Sequence, residues 1–418
     1  MKKKRNIFLI GVFIVPLVLI FSQCLTISAK PDPRGDVFAG SSTSIKCHKD
    51  VYDNYLHTAH FSTTRLADIH TIGGNFNGHD NTFYFSKDLK IVMESRPDGL
   101  YQVAYNKGKE VKAERFDITF GGVKAESYLS WQGNQIYQLP MSYFKALNGW
   151  TNSPGFDSTY ADYSRTIGRR CFECHSSYIK DLPSQNQSFT AVLSKEEFDK
   201  NSLILGIDCE RCHGPAANHV NYQTQFPEEK KAKYIATYAS LSREAKINMC
   251  AVCHSGNKNH IVHTVFAYKP SDKLSDFVET PPYQLPGDST KLDVHANQSQ
   301  LLGSSKCFIN SNMDCATCHD VHHNERQNLA LFSQKCMNCH TTANHNFCPL
   351  ASKLGAAIKS NCIDCHMPAK PSSVIAVETQ GSGKKEPYLV RTHHIAIYPE
   401  ESQKIIEYLK KNNKLASK

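Results

Sequence analysis

The 418-residue sequence predicts a mainly α and irregular fold, with little regular secondary structure and one small antiparallel β insertion. Three observations carry that expectation. C-x-x-C-H occurs six times, at Cys171–His175, Cys209–His213, Cys250–His254, Cys315–His319, Cys336–His340 and Cys362–His366. The stretch from about residue 72 to residue 147 holds none of these motifs and alternates apolar with polar residues. Thirteen of the 20 histidines remain once the six motif histidines and His48 are set aside, a large surplus for an ordinary chain.

C-x-x-C-H is the attachment signature of c-type haem. The two thiols add across the porphyrin vinyl groups, and the adjacent histidine meets iron from one face. At these cysteine and histidine frequencies, chance supplies on the order of 0.03 such motifs in a chain of this length. Structural zinc sites and thioredoxin-like dithiols also use C-x-x-C. Zinc geometry does not require a histidine after every second cysteine, and a dithiol would not recur six times without its own βαβ unit. The motifs assign Cys171, Cys174, Cys209, Cys212, Cys250, Cys253, Cys315, Cys318, Cys336, Cys339, Cys362 and Cys365 as thioether donors. They assign His175, His213, His254, His319, His340 and His366 as proximal iron ligands. Six macrocycles would bring their own apolar surface, so the interior is expected to be filled by haem more than by side chains.

In chain order, Lys2 to Arg5 followed by the uncharged run Ile7 to Phe21 reads as an export signal over residues 1–29. Three fates are open: cleavage after Ala29, lipidation of Cys24, or an uncleaved span over Ile7 to Ile27. A soluble or lipid-anchored periplasmic form ranks above the spanning one. An opening segment, residues 30–71, contains the incomplete motif Ser44-Ile45-Lys46-Cys47-His48. Here haem bound through one thioether, no haem, and a free Cys47 thiol all stay open. Asp50 to His60 reads as a short helix presenting His57 or His60.

Residues 72–150 form the β-rich insertion, with strands at Phe83 to Phe85, Lys90 to Met93, Tyr101 to Tyr105 and Phe116 to Phe120. Arg96-Pro97-Asp98-Gly99 supplies a turn. Residues 151–400 carry the six motifs, their first cysteines 38, 41, 65, 21 and 26 residues apart. Helices are expected at Ser194 to Lys200 and Pro227 to Leu241, and a loop at Pro281 to Gly287. Residues 401–418 read as a closing helix, Gln403 to Lys411, and a frayed tail.

Low-spin haem takes a second axial ligand, usually histidine in multihaem chains, and the histidine surplus points to bis-histidine ligation. A histidine a few residues beyond a motif cannot wrap round to the far face of its own haem. His219, His322 and His323 should therefore serve neighbours. The formal charge of +9 includes four residues of the signal, and haem propionates would offset the rest. No basic patch with interleaved aromatics is present, so no nucleic-acid partner is expected.

The blocks Phe38 to His48 with Tyr52 to His60, Gly206 to His219, Asp293 to His322, and Cys362 to Pro368 with His393-His394 resemble multihaem c-type cytochromes of the cytochrome c-554 type. The resemblance spans residues 36 to 400, without the tetratricopeptide repeats often fused to that family. It implies a mainly α and irregular multihaem cytochrome c and names His60, His219, His295, His322 and His393 as distal ligands. The Cys362 and His393 blocks correspond to its final haem and that haem's ligand. Ser44 departs from the family's complete first motif, where His48 and Cys47 would serve. Cys307 and Cys348 lie outside all motifs, where a disulfide is one outcome.

The expected function is a periplasmic electron carrier with six haems c and a possible seventh, exchanging electrons with quinol-linked or cytochrome partners. Membrane association would come through the N-terminus or Cys24. The rival reading is an oxidoreductase acting on a small nitrogen or sulfur compound at one open iron. No C-x-x-C-K marks such an iron here.

Overall fold

Strands carry the largest continuous part of this chain, and the mainly α expectation is overturned. A computed structural model describes residues 31–157, 159–183, 195–256, 258–279, 292–344, 346–378 and 384–412. Of these, 31% are helical and 26% lie in strands, in several antiparallel sheets.

Ten strands precede the first complete motif: β1 (Thr64–Leu66), β2 (Thr82–Tyr84), β3 (Leu89–Arg96), β4 (Gly99–Asn106), β5 (Lys109–Arg115), β6 (Ile118–Gly121), β7 (Ala125–Gln132), β8 (Gln135–Gln138), β9 (Met141–Phe144) and β10 (Gly149–Asn152). One sheet runs β2-β3-β4-β5. The other runs β1-β6-β7-β9-β10, with β8 paired to β7. The Pro97-Asp98 turn joins β3 to β4. The β4–β5 hairpin turns through Lys107 (φ 51°) and Gly108 (φ 77°), both in the left-handed region that a tight hairpin demands. Alternation places Ile91 and Met93 inward from β3, where they meet Phe76, Phe116, Tyr128, Met141 and Trp150 between the sheets. The opposite face of the larger sheet carries Ile118, Phe120, Leu129 and Ile136, which pack on Phe172, Ile179 and Phe198. The β region is thus a two-sheet platform, one face of which docks the first motif.

Three two-stranded ribbons follow: β11 (Ser176–Asp181) with β12 (Phe198–Leu205), β13 (His260–Ile261) with β14 (Val278–Glu279), and β15 (Ala369–Glu378) with β16 (Lys385–Arg391). The α-helices are short: α1 (Lys49–Tyr55), α2 (Arg169–His175), α3 (Cys209–His213), α4 (Ala217–Gln225), α5 (Arg243–His254), α6 (Gln298–Gly303), α7 (Lys306–Ile309), α8 (Leu329–Met337), α9 (Ala351–Leu354), α10 (Ile363–His366) and α11 (Pro399–Lys411). Such lengths are marginal or worse without partners, so packing and attachment must hold them.

Several expected elements are corrected. Phe198, fully buried against Phe172, draws the predicted Ser194–Lys200 helix into β12. Residues 191–194 lie outside the described residues. Pro227–Leu241 is irregular apart from a 3-10 turn at Tyr238–Ser240, and the helix lies before it, in α4. That charged run has no apolar stripe to bury, and the open backbone keeps carbonyls free for imidazoles, as described below. The helix expected from Asp50 to His60 stops at Tyr55. Gln403–Lys411 falls within α11. Cys307 and Cys348 are free thiols. Cys307 neighbours Cys318 and Cys339, whereas Cys348 neighbours Cys365, so each lies by a different motif. Residues 1–30, with the signal and Cys24, and the Pro281–Gly287 loop lie outside the described residues. Among the described residues, no helix is long and apolar enough to cross a membrane.

Candidate haem centres

Each motif sits on about one helical turn, which puts both cysteines on one side and the histidine just beyond. The histidine N–H closes the turn onto the first cysteine's carbonyl at His319 (3.0 Å), His340 (3.0 Å) and His366 (3.1 Å). Asp208 caps α3 by accepting from the Arg211 N–H at 2.9 Å, and Asp314 with Thr317 forms a capping box around Cys315.

The tertiary structure sets motif histidines opposite histidines from remote parts of the chain. Ring centroids lie 6.2 Å apart for His213 and His322, 6.2 Å for His319 and His393, and 6.3 Å for His254 and His60. His48 and His219 are 6.5 Å apart. Near-parallel rings in face contact would sit about 3.5–4 Å apart. A metal–imidazole bond of about 2.0 Å on each side, with each centroid about 1.1 Å further out, gives about 6.2 Å. These spacings fit one iron between two imidazoles. His295 lies near enough to His175 to contribute to its lowered pKa. Among the described residues, no second histidine ring faces His340 or His366 at such spacing.

Ring orientation is set through the other nitrogen. Nδ1 of His213 meets the Ala236 carbonyl at 2.8 Å, that of His219 the Lys233 carbonyl at 2.9 Å, that of His366 the Ala396 carbonyl at 2.9 Å, and that of His340 the Asn346 carbonyl at 3.0 Å. A carbonyl can only accept, so Nδ1 carries the proton and Nε2 is left bare for metal. Helix through Pro227–Leu241 would have consumed the Lys233 and Ala236 carbonyls. His393 departs from the pattern: its Nδ1 is buried without a partner.

Burial, chiefly, pushes His60, His175 and His393 down to about 4, and it also lowers His254, His295, His319 and His322. Neutral imidazole is the ligating form. His254 and His319 are nonetheless exposed, the combination expected of side chains lining an internal opening.

The platform positions His175, a role the sequence did not reveal, and the turn after β12 positions His60. Phe120 on β6 lies parallel to the His175 ring, 4.8 Å between centroids and 5° between planes. Thr63 Oγ1 reaches His175 Nδ1 at 3.2 Å, and the Thr64 hydroxyl donates to the His175 carbonyl. The His60 carbonyl accepts from Ile207 N–H at 2.9 Å, and Gly206 (φ 66°) is the close approach that permits it. A Cβ there would collide with the Phe61 carbonyl.

Thiols of different motifs also meet. Cys174 contacts Cys253, Cys250 contacts Cys315, and Cys336 contacts Cys362. The shared proton drives Cys174 and Cys362 down and their partners up, while burial pushes Cys212 up to about 11. Weaker coupling joins Cys212 to Cys250 and Cys318 to Cys336. Attachment points thus adjoin in the series Cys209, Cys250, Cys315, Cys336, Cys362, with Cys171–Cys174 beside Cys253. The zinc alternative needs four donors around one ion. Among the described residues, no three His, Cys, Asp or Glu converge to hold a metal.

Fold and paired imidazoles can now be set against known proteins. Two known proteins stand beside it. Dissimilatory sulfite reductase MccA of Wolinella succinogenes is 21% identical over 399 residues, covering 79% of this chain and 50% of MccA. The chain spans about half the length of the curated relative it matches. The crystal structure of the outer cell wall cytochrome OcwA superposes with a TM-score of 0.54 at 15% identity, over 88% of this chain and 81% of OcwA. No family model matches the chain. The likeness to OcwA is one of fold, and neither comparison reaches the c-554 type.

Proposed function

We propose that the protein is an extracytoplasmic c-type cytochrome of the c-554 type that relays electrons through haems at its six C-x-x-C-H motifs, four of them with a second histidine to close the far face. One observation carries this reading: motif histidines face distant histidines at 6.2–6.3 Å, the separation that one iron between them requires. Cys171 and Cys174, and the corresponding pairs in the other five motifs, would hold the porphyrins. His322, His60 and His393 would close the far faces opposite His213, His254 and His319. His295 would serve His175. Haem supplies a reversible one-electron couple whose potential follows its axial ligands and burial.

The chain's own residues do the rest. Carbonyls of Ala236, Asn346 and Ala396 hold the Nδ1 protons and aim Nε2 at the metal. Touching thiols would keep the third and fourth attachment points side by side, and likewise the fifth and sixth, and would set the first beside the third. Redox proteins, either quinol-linked or cytochromes, would be the donor and acceptor. Export would follow from the basic and apolar start of the sequence, with Cys24 a candidate lipid anchor. Intact-mass measurement of the protein matured in a host able to attach haem c tests the reading, and zero or one haem refutes it. The ferric spectrum should be low-spin for the facing pairs.

A second reading, a multihaem oxidoreductase, has two observations in its favour. MccA is named a sulfite reductase, and His340 and His366 face no second ring among the described residues. Added sulfite, nitrite or cyanide would then shift a high-spin ferric band. A spectrum with no such band, unmoved by all three, rules it out.

A further inference from the structure

We propose that Ser44–His48 is a seventh haem site, in which Cys47 forms a single thioether and His48 and His219 are the axial ligands. This rests on the reading of the six complete motifs as haem sites and extends it to a segment that lacks the signature.

Three independent features support it. First, the backbone is that of a motif: His48 N–H meets the Ser44 carbonyl at 2.7 Å and Cys47 N–H meets it at 3.1 Å. Cys315–His319 closes the same two bonds, from His319 at 3.0 Å and from Cys318 at 3.2 Å. Second, His48 and His219 face one another at 6.5 Å with planes 12° apart, against 6.2 Å and 13° for His213 and His322. His219 is anchored through Nδ1 on the Lys233 carbonyl at 2.9 Å, as His213 is on Ala236. His219 lies six residues beyond His213, too close to reach that motif's far face, so without His48 it has no evident metal to serve. Third, the Ser44 hydroxyl, together with that of Ser41, bonds the Cys209 thiol, first cysteine of the neighbouring motif. First cysteines meet in the same way at Cys250–Cys315 and Cys336–Cys362. Ser44 therefore stands beside a first cysteine, as those first cysteines stand beside one another, while lacking the sulfur.

Arg34 and Glu210 hold this corner together. Glu210 accepts from the N–H groups of Ala39 (2.9 Å), Gly40 (2.8 Å) and Ala216 (2.8 Å), and Arg34 bridges Asp32, Asp208 and Glu210.

The attachment balances without any oxidant. The Cys47 thiol adds across one vinyl group, sulfur bonding to the carbon nearer the ring and the thiol hydrogen ending on the outer carbon. Ser44 is no such nucleophile, so the second vinyl stays intact. The site extends the adjoining series of attachment points beyond Cys209.

The test uses the full-length exported protein. Intact mass should show seven covalent haems, the Cys47 peptide should carry one, and Cys47→Ala should show six. The reduced pyridine spectrum should contain a minor component at longer wavelength from the unreacted vinyl. Ser44→Cys should keep the count at seven and abolish that component. Six haems with a free Cys47 thiol, a haem released by acidified acetone, or a spectrum unchanged by Ser44→Cys each overturn the seventh site and leave the six-haem reading standing. Zero or one haem overturns both.

Discussion

The β platform and the stretch from Lys306 to Leu350 belong to one chain but are held by different physics. In the platform, Ile91, Met93, Ile118, Tyr128, Leu129, Ile136, Leu139, Met141 and Phe144 are essentially removed from solvent. Rings of Phe76, Phe116, Tyr128, Tyr143 and Trp150 meet edge to face or tilted at 4.8–6.0 Å. From Lys306 to Leu350, Ser333 is the one buried residue among those described, while Ile309 and Val321 are exposed. That stretch contains two motifs, and its Ser333, Cys336 and Cys348 adjoin a third. A segment with so little side-chain core cannot offset the entropy of ordering itself. The apolar surface it lacks is what porphyrins would bring. A region with its own side-chain core is thus joined to one with almost none.

The sharpest way to break this comparison is to withhold haem. In a host without c-type maturation, trypsin should digest Lys306 to Leu350 while a fragment spanning β1 to β10 survives. Equal survival of both, read by mass spectrometry, would refute the division. Within the platform, Trp150→Ala removes the ring around which Phe76, Phe116, Tyr128 and Tyr143 gather. It should destabilise the sheets by about 3–5 kcal/mol in urea, with the haem count unchanged. At the junction, Glu210→Ala leaves the Arg34 guanidinium and three backbone N–H groups short of their acceptor. About 3 kcal/mol is expected, together with partial loss of the His48–His219 pairing.

Further out, His60→Ala should leave every covalent attachment in place but free one coordination position opposite His254. A new high-spin ferric band that cyanide abolishes is the expected result, and an unchanged low-spin spectrum would exclude His60 as a ligand. The smallest effect is expected from Phe120→Leu, less than about 1.5 kcal/mol. Its readout is a changed signal from the His175 iron, the one imidazole that the platform touches face to face. No change there would make Phe120 merely a core residue.

Legibility followed the range of the interactions. The six motifs were readable because attachment chemistry needs five adjacent residues and nothing else. The β3–β4 hairpin was readable for the same reason, since Pro97 and Asp98 encode a turn locally. The misreadings were tertiary. Ser194–Lys200 has helix-forming residues, but Phe198 is worth more buried against Phe172 than exposed on a short helix. Pro227–Leu241 has them too, but Lys233 and Ala236 spend their carbonyls on imidazoles. The fold class failed because ten strands of ordinary β-sheet carry a weaker signal than six loud motifs.

The sequence by itself determined where the six C-x-x-C-H motifs lie and which histidine ends each, because such a motif is written in five adjacent residues. Which histidine stands opposite was decided only in three dimensions. His393 was matched to the last motif, yet it faces His319 of the fourth, because β15, β16 and the turn after them carry it there. Apposition across a macrocycle joins residues that share no local pattern, so only the packed chain can specify it.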